Sequence, residues 1–164
     1  MKRDDIEDKL DEVRERLLMA LEPLPDEILV QKGLVGEWAI SDVLANLAVW
    51  EAELVTGLMY LREGQRPQHL LKALADPDTY NRARYEEFKE RDLDQIFDDL
   101  QGVRVQLEGW LTEFTDRELN DDKRFPALAG KPLWQVIQQC SFGREAQRLL
   151  LIERVAAAYR DEEE

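Results

Sequence analysis

Histidine and cysteine are nearly absent from this chain: one of each, His69 and Cys140, in 164 residues. A single cysteine excludes an intrachain disulfide, a Cys-pair zinc site and a Cys-based redox motif. With one histidine, no His-dependent catalytic triad or dyad is supported. Cys140, between Gln139 and Ser141 in a helical pattern, reads as a small packing residue and not as a nucleophile. Positive charge is also short: 22 Lys plus Arg face 36 Asp plus Glu, a formal net charge of −14. That balance repels phosphate backbones and anionic membrane surfaces, so neither nucleic acid nor membrane is an expected partner. No apolar run approaches the ~20 residues of a membrane span. The opening MKRDDIEDKLDEVRERLL mixes both charge signs and has no continuous apolar region, unlike a secretory signal. The expectation is a cytoplasmic protein. No Gly-rich phosphate loop or dinucleotide fingerprint occurs, and no segment sustains the alternation of a β-strand.

What the chain does have is 44% apolar residues beside 35% charged ones, a globular composition of ordinary single-domain length. Residues 1–160 read as one domain and 161–164 as an acidic tail, whose charge at a helix C-terminus opposes the dipole and should fray. Four long segments repeat apolar residues at intervals of three and four, the spacing of one helix face. The first carries Ile6, Leu10, Val13, Leu17 and Leu21 and stops at Pro23 and Pro25. The second opens with Ser41 as N-cap, runs through Val43, Leu47, Trp50, Leu54, Leu58 and Leu61, and stops at Gly64. The third pairs a short helix opening near Asp78 with a longer one from Asp92. There Asp92 and Gln95 have capping-box spacing, and Ile96, Leu100, Val103, Leu107 and Trp110 or Leu111 form the stripe. Gly102 and Gly109 within it suggest close helix contacts. The last helix is expected from Pro132 through Leu133, Val136, Ile137, Cys140, Leu151, Ile152, Val155 and Tyr159. The fold class is therefore all-α, a four-helix bundle whose long connections allow a crossover between parallel helices.

Three separated stretches in order, GEWAISDVLANLAVWE, DTYNRARYEEFKERDLDQIFDDL and FPALAGKPLWQVIQQCSFGREAQRLLLI, resemble the DinB/YfiT-like superfamily, including its ClbS/DfsB-like branch. The resemblance covers about Ile6 to Val155. It implies an up-down-down-up four-helix bundle, frequent association as homodimers, and in many members a metal ion held by three histidines. Others are thiol-dependent transferases or isomerases, and the ClbS-like branch is linked to protection against a genotoxin. Carried over residue by residue, the three ligand positions fall on Asn46, Arg144 and Arg148. A guanidinium offers five donors and no lone pair, so it repels a cation instead of binding one. His69, in a loop-like segment, reads as a solvent or packing histidine. A site rebuilt from Glu51, Glu53 or Glu145 is disfavoured because Glu145 falls one residue off the expected face. No metal, cofactor or catalytic residue is expected.

The spacing Ile137, Cys140, Arg144, Arg148, Leu151, Val155 places both arginines on the face turned to the bundle. A buried unpaired charge is prohibitive, so they must meet carboxylates, a bound anion or water. Glu51, Glu53, Glu108 and Asp99 are the candidate partners. Two arrangements satisfy this: an Asn–Arg–carboxylate network that fills a lost metal site, or a pocket for a small anionic molecule around Asn46, Trp50, Arg144 and Arg148. Trp38, Trp50, Tyr80 and Trp134 could wall such a pocket, although aromatics at helical spacing more often belong to the core. The sequence thus points to a structural or interaction bundle or a small-molecule-binding protein, and away from an enzyme. The alternative is a ClbS-like hydrolase or a thiol-dependent transferase working through a pocket without metal.

Overall fold

In the computed structural model, which describes residues 1–163, every named element is helical, and the β pairing among the described residues is a single bridge between Val35 and Trp38. In chain order the helices are α1 (Arg3–Leu21), α2 (Asp26–Leu29), α3 (Ile40–Arg62), α4 (Gln68–Ala75), α5 (Pro77–Phe88), α6 (Leu93–Leu111), α7 (Asp116–Asn120), α8 (Leu133–Cys140) and α9 (Phe142–Glu163), with a 3-10 turn at Pro126–Leu128. Among the described residues no helix is long and apolar enough to cross a membrane.

The long helices pack as two pairs, α3 on α6 and α1 on α9. Glu51 in mid-α3 meets Arg104 in mid-α6, and Arg62 at the end of α3 reaches Glu113 just past α6, so these helices run in the same sense. Arg14 meets Glu145 and Arg16 meets Glu153, so α1 and α9 also run together. Between the pairs the sense is opposed: Arg104 donates to the Leu10 carbonyl, whereas the later Arg14 donates to the earlier Leu100 carbonyl. Running α3 and α6 in one direction requires the chain to travel back along the bundle, and α4 and α5 are that crossover. The expected stripes of α1 and α3 are buried throughout, and Leu111, not the half-buried Trp110, continues the stripe of α6.

Helix ends depart from the sequence expectation where a different side chain does the capping. α3 starts at Ile40 and not after Ser41, because the Asp42 carboxylate turns back to accept the Ala39 N–H at 2.8 Å. α5 opens at Pro77, one residue before Asp78, because Asp76 is its cap and accepts from Thr79 N at 3.3 Å. Asp92 caps α6 by accepting from Gln95 N at 2.8 Å, as its spacing foretold. His69 lies exposed on α4 and not in a loop. Gly102 and Gly109 have open space where a Cβ would stand, so close helix contact does not account for them. The acidic run continues α9 to Glu163, where fraying was expected, and Glu164 lies outside the described residues.

The largest departure is at the last helix, which is two. Ser141 has φ −128° and ψ −107°, far from helical values, and separates α8 from α9. Its hydroxyl donates to the Ile137 carbonyl, satisfying an end of α8. Gly143 follows because a Cβ there would stand 2.7 Å from the Gln138 carbonyl oxygen. The break rotates the buried face, which in α9 is Phe142, Glu145, Leu149, Ile152 and Ala156. Leu151, Val155 and Tyr159 are half-buried, and so are Arg144 and Arg148.

A clasp closes the far end of α3. Arg62 meets the Glu118 carboxylate at 2.5 Å and the Glu113 carbonyl at 2.6 Å, with its guanidinium over the Phe114 ring. The Arg62 hydrogen bond, aided by Thr115 N–H and Arg124, holds Glu118 below its ordinary 4.5. A lowered native pKa gives stability that is present above the unfolded value and lost as pH falls through the native one. Glu118→Gln is therefore expected to cost about 1 kcal/mol at pH 7, after screening by nearby solvent. Urea titrations should show the gap to wild type closing as pH drops below 4.5; a gap independent of pH would refute this role.

Candidate functional site

Four charged side chains, one from each long helix, meet inside the bundle. Glu51 on α3 and Glu145 on α9 are each 1% exposed, and Arg104 on α6 is 6% exposed. Arg104 donates to Glu51 at 2.7 and 3.3 Å, to Glu145 at 3.1 Å and to the Leu10 carbonyl at 3.0 Å. Arg14 on α1 donates to Glu145 at 2.9 and 3.0 Å and to Glu51 at 3.2 Å. Two guanidiniums and two carboxylates thus form a neutral, mutually bonded cluster, the arrangement that makes burial of ions tolerable. Burial pushes the Glu51 carboxyl up, against the pull of Arg104 and Arg14.

The cluster takes one of the partners expected for Arg144 and Arg148, and two others are engaged elsewhere. Glu51 is held by Arg14 and Arg104; Glu53 accepts from the Tyr80 hydroxyl at 3.2 Å and lies 3.5 Å from Arg84; Asp99 pairs with Arg91. Glu108 borders a groove between α1 and α6. Among the described residues neither Arg144 nor Arg148 has a carboxylate partner. Glu145, expected off the inner face, is on it, and the arginines flank it because of the Ser141 break.

Asn46, Trp50 and Arg144 are brought together. Asn46 is 1% exposed and Trp50 wholly buried. Asn46 Nδ2 and Trp50 Nε1 both donate to Asn81 Oδ1 on α5, at 3.0 and 2.8 Å. The Arg144 guanidinium lies over the Trp50 ring, 3.9 Å from its centroid, a cation–π contact. Among the described residues, Asn46 Oδ1 and Arg144 Nε are both buried without a hydrogen-bond partner. Burial lowers the Arg144 pKa and the Arg148 charge adds to this, yet a guanidinium stays protonated near neutrality.

Arg148, one turn further along α9, lines a cleft of about 340 Å³ with Val35, Glu37, Trp38, Val43, Asp78, Asn81 and Arg82. Trp38 is fixed there by stacking on Tyr85 at 5.7 Å and by an edge contact with Phe88 at 6.0 Å. Of the other expected walls, Trp50 lies beneath Arg144, Tyr80 borders a separate groove with α6, and Trp134 is half-buried against the core. Asn81, Arg14 and Arg104 were missed by sequence reasoning. For the arginines a signal existed: Leu10-Arg14-Leu17 and Leu100-Arg104-Leu107 put charge at core spacing, as Leu47-Glu51-Leu54 does with the opposite sign.

The sequence model of the DinB superfamily matches residues 9–142. The chain belongs to the DinB superfamily. A crystal structure of an uncharacterised protein from Escherichia coli UTI89 is similar to this DinB-superfamily chain at a TM-score of 0.81 and 16% identity, covering 97% of this chain and 95% of that one, a likeness of fold. No curated protein matches. The matched span ends two residues before Arg144, so the correspondence of Arg144 and Arg148 rests on the resemblance of the last helix.

The residues at the three implied ligand positions do not fit a metal ion. Asn46 offers one amide oxygen, and Arg144 presents a buried N–H that needs an acceptor. The Arg144 N–H attracts an electron-rich group, whereas the Asn46 oxygen calls for a donor. Among the described residues no three or more His, Cys, Asp or Glu side chains are grouped to hold a metal. Cys140, one turn before Arg144, is 1% exposed, and burial pushes its thiol up to about 12, against the pull of Arg144.

Two measurements test this geometry. Arg104→Met leaves two buried carboxylates sharing Arg14 and is expected to cost about 3–5 kcal/mol in urea unfolding, with much of the loss recovered on adding Glu51→Met. A single-variant cost under about 1 kcal/mol would contradict a cohesive cluster. Native Cys140 is expected to resist iodoacetamide at pH 8 and to react once the chain is denatured, when its pKa returns to about 8.5. Rapid native labelling would mean that α8 opens readily.

Proposed function

We propose that this DinB-superfamily bundle binds a small organic anion at the end where α3, α5 and α9 meet, and that it binds without transforming. The observation that carries the reading is Arg144: among the described residues it is a half-buried cation with no carboxylate, whose buried Nε–H lacks an acceptor, and the buried Asn46 carbonyl likewise lacks a donor. A native chain seldom leaves two such groups unmet without a functional reason. Arg148 and Asn81 bring the same region to the wall of the cleft, whose volume is at the small end of the ~300–1,000 Å³ of ligand pockets and suits a metabolite-sized molecule. A carboxylate oxygen suits a guanidinium N–H, and the indole face keeps the guanidinium plane fixed while one edge is free to donate.

Binding is favoured over catalysis by the absence of an activated group at the cleft among the described residues. Cys140 is a buried, protonated thiol, and the carboxylates nearest the bundle centre are engaged by Arg14 and Arg104. Neither a hydrolase nor a thiol transferase reading has a comparable observation behind it.

Thermal denaturation with a panel of small carboxylic acids tests the proposal. A ligand at one hundred times its Kd adds about 2.7 kcal/mol, a Tm rise of about 5–10 °C for a chain of this size. Arg144→Met keeps the bulk over Trp50 and removes the charge. It is expected to abolish the shift while leaving the unliganded protein within about 1 kcal/mol of wild type, because lost cation–π attraction offsets relieved desolvation. An equal shift in wild type and Arg144→Met, or no shift with any member, would overturn the reading.

A further inference from the structure

The cleft beside Arg148 holds two charges of each sign that do not pair with one another. Glu37 comes from the loop before α3, Asp78 and Arg82 from α5, and Arg148 from α9. Among the described residues none of the four belongs to an ion pair. Nearby charges do find partners: Lys32 meets Asp42 at 2.6 Å, and Arg84 meets Glu87 at 2.8 Å. The four are anchored on three elements, and the space between them is the cleft.

A simple anion in this space would be drawn by Arg82 and Arg148 and repelled by Glu37 and Asp78; a simple cation would meet the reverse. A free anion must also approach a chain whose formal net charge is −14. A molecule that is neutral overall, with a carboxylate and an ammonium a few bonds apart, meets neither obstacle. Of the remaining walls, Val35, Trp38 and Val43 are apolar and suit a hydrocarbon or aromatic side group.

We propose that the ligand is a small zwitterion of the α-amino-acid type with an apolar side chain. Its carboxylate lies toward Arg148, its ammonium toward Glu37 and Asp78, and its side chain against Trp38. Asn81, which also lines the cleft, backs the carboxylate end and joins it to Asn46 and Trp50 through the hydrogen bonds that Asn81 Oδ1 accepts. The proposal rests on the anion-binding reading above and adds the second charge and the apolar group.

Isothermal titration with leucine, N-acetyl-leucine and leucinamide, and with the same three forms of phenylalanine, separates the two claims. N-acetylation removes the ammonium and amidation removes the carboxylate. The free amino acid of at least one series is expected to bind at least tenfold more tightly than either of its single-charge analogues. Glu37→Gln combined with Asp78→Asn, both exposed positions, should weaken the free amino acid several-fold and strengthen its N-acetyl form. A merely structural role for these residues would not produce that opposed pair of shifts. Arg148→Met should weaken both carboxylate-bearing forms. If the N-acetyl form binds as tightly as the free amino acid and still depends on Arg144, the zwitterion proposal falls and the anion reading stands. If neither series binds but other carboxylates stabilise the protein through Arg144, the amino-acid assignment is overturned alone. If no carboxylate acts through Arg144, both are overturned.

Discussion

The four-way contact of Arg14, Glu51, Arg104 and Glu145 is the constraint on which the arrangement of this bundle turns. Apolar stripes tell helices to pack, but they tolerate sliding and rotation, because one leucine fits a groove much like another. Hydrogen bonds between guanidinium and carboxylate tolerate little of either. Each carboxylate here accepts from arginines on two helices, and each arginine also donates to a backbone carbonyl of a facing helix. A shift of any long helix by one residue would strand a charge in the core. The cluster also consumes Glu51, one of the carboxylates expected to meet Arg144, while Arg144 keeps an open valence at the candidate site.

The crossover between α3 and α6 has a second consequence. Parallel neighbours cannot be joined by a short turn, so the chain must lay α4 and α5 along the bundle. That obligatory path supplies Asn81, which organises Asn46 and Trp50, and Tyr85 and Phe88, which hold Trp38. The polar wall of the site is thus made by the connection and its floor by the core helices. Side chains on the crossover can change without disturbing the four charges below, which separates the demands of stability from those of recognition.

The all-α class and most of the core were legible because period and burial express the same physics: Ile6, Leu10, Val13, Leu17 and Leu21 repeat at helical spacing and are buried. Asp92 was legible as a cap because its partner is three residues away. What escaped was tertiary. That Glu51 faces Arg104 and not Arg144 depends on which helices adjoin and at what height, and a single stripe carries no such information. Asn81 escaped for the same reason, since its role exists only once α5 is laid across α3. The start of α3 was misplaced by local competition, with Asp42 reaching back past Ser41 to Ala39. Asn46 and Arg144 were found as polar residues in apolar company, and the structure brings both to Trp50.

The interruption at Ser141 acts as a phase setting for everything beyond it. An α-helix turns about 100° per residue, so the conformation of one residue decides whether Glu145 or its neighbour Arg144 enters the core. With the break in place, the acid completes a neutral cluster and the base is left over, facing the indole. The two outcomes are one degree of freedom. Drift that straightened this joint would not degrade the scaffold and the site by degrees; it would exchange an acid for a base in the interior and remove both together. The 2.7 Å approach at Gly143 guards that joint, since any side chain there would press on the carbonyl of Gln138. A residue with no side chain and no contact with a ligand thereby decides the polarity of the interior.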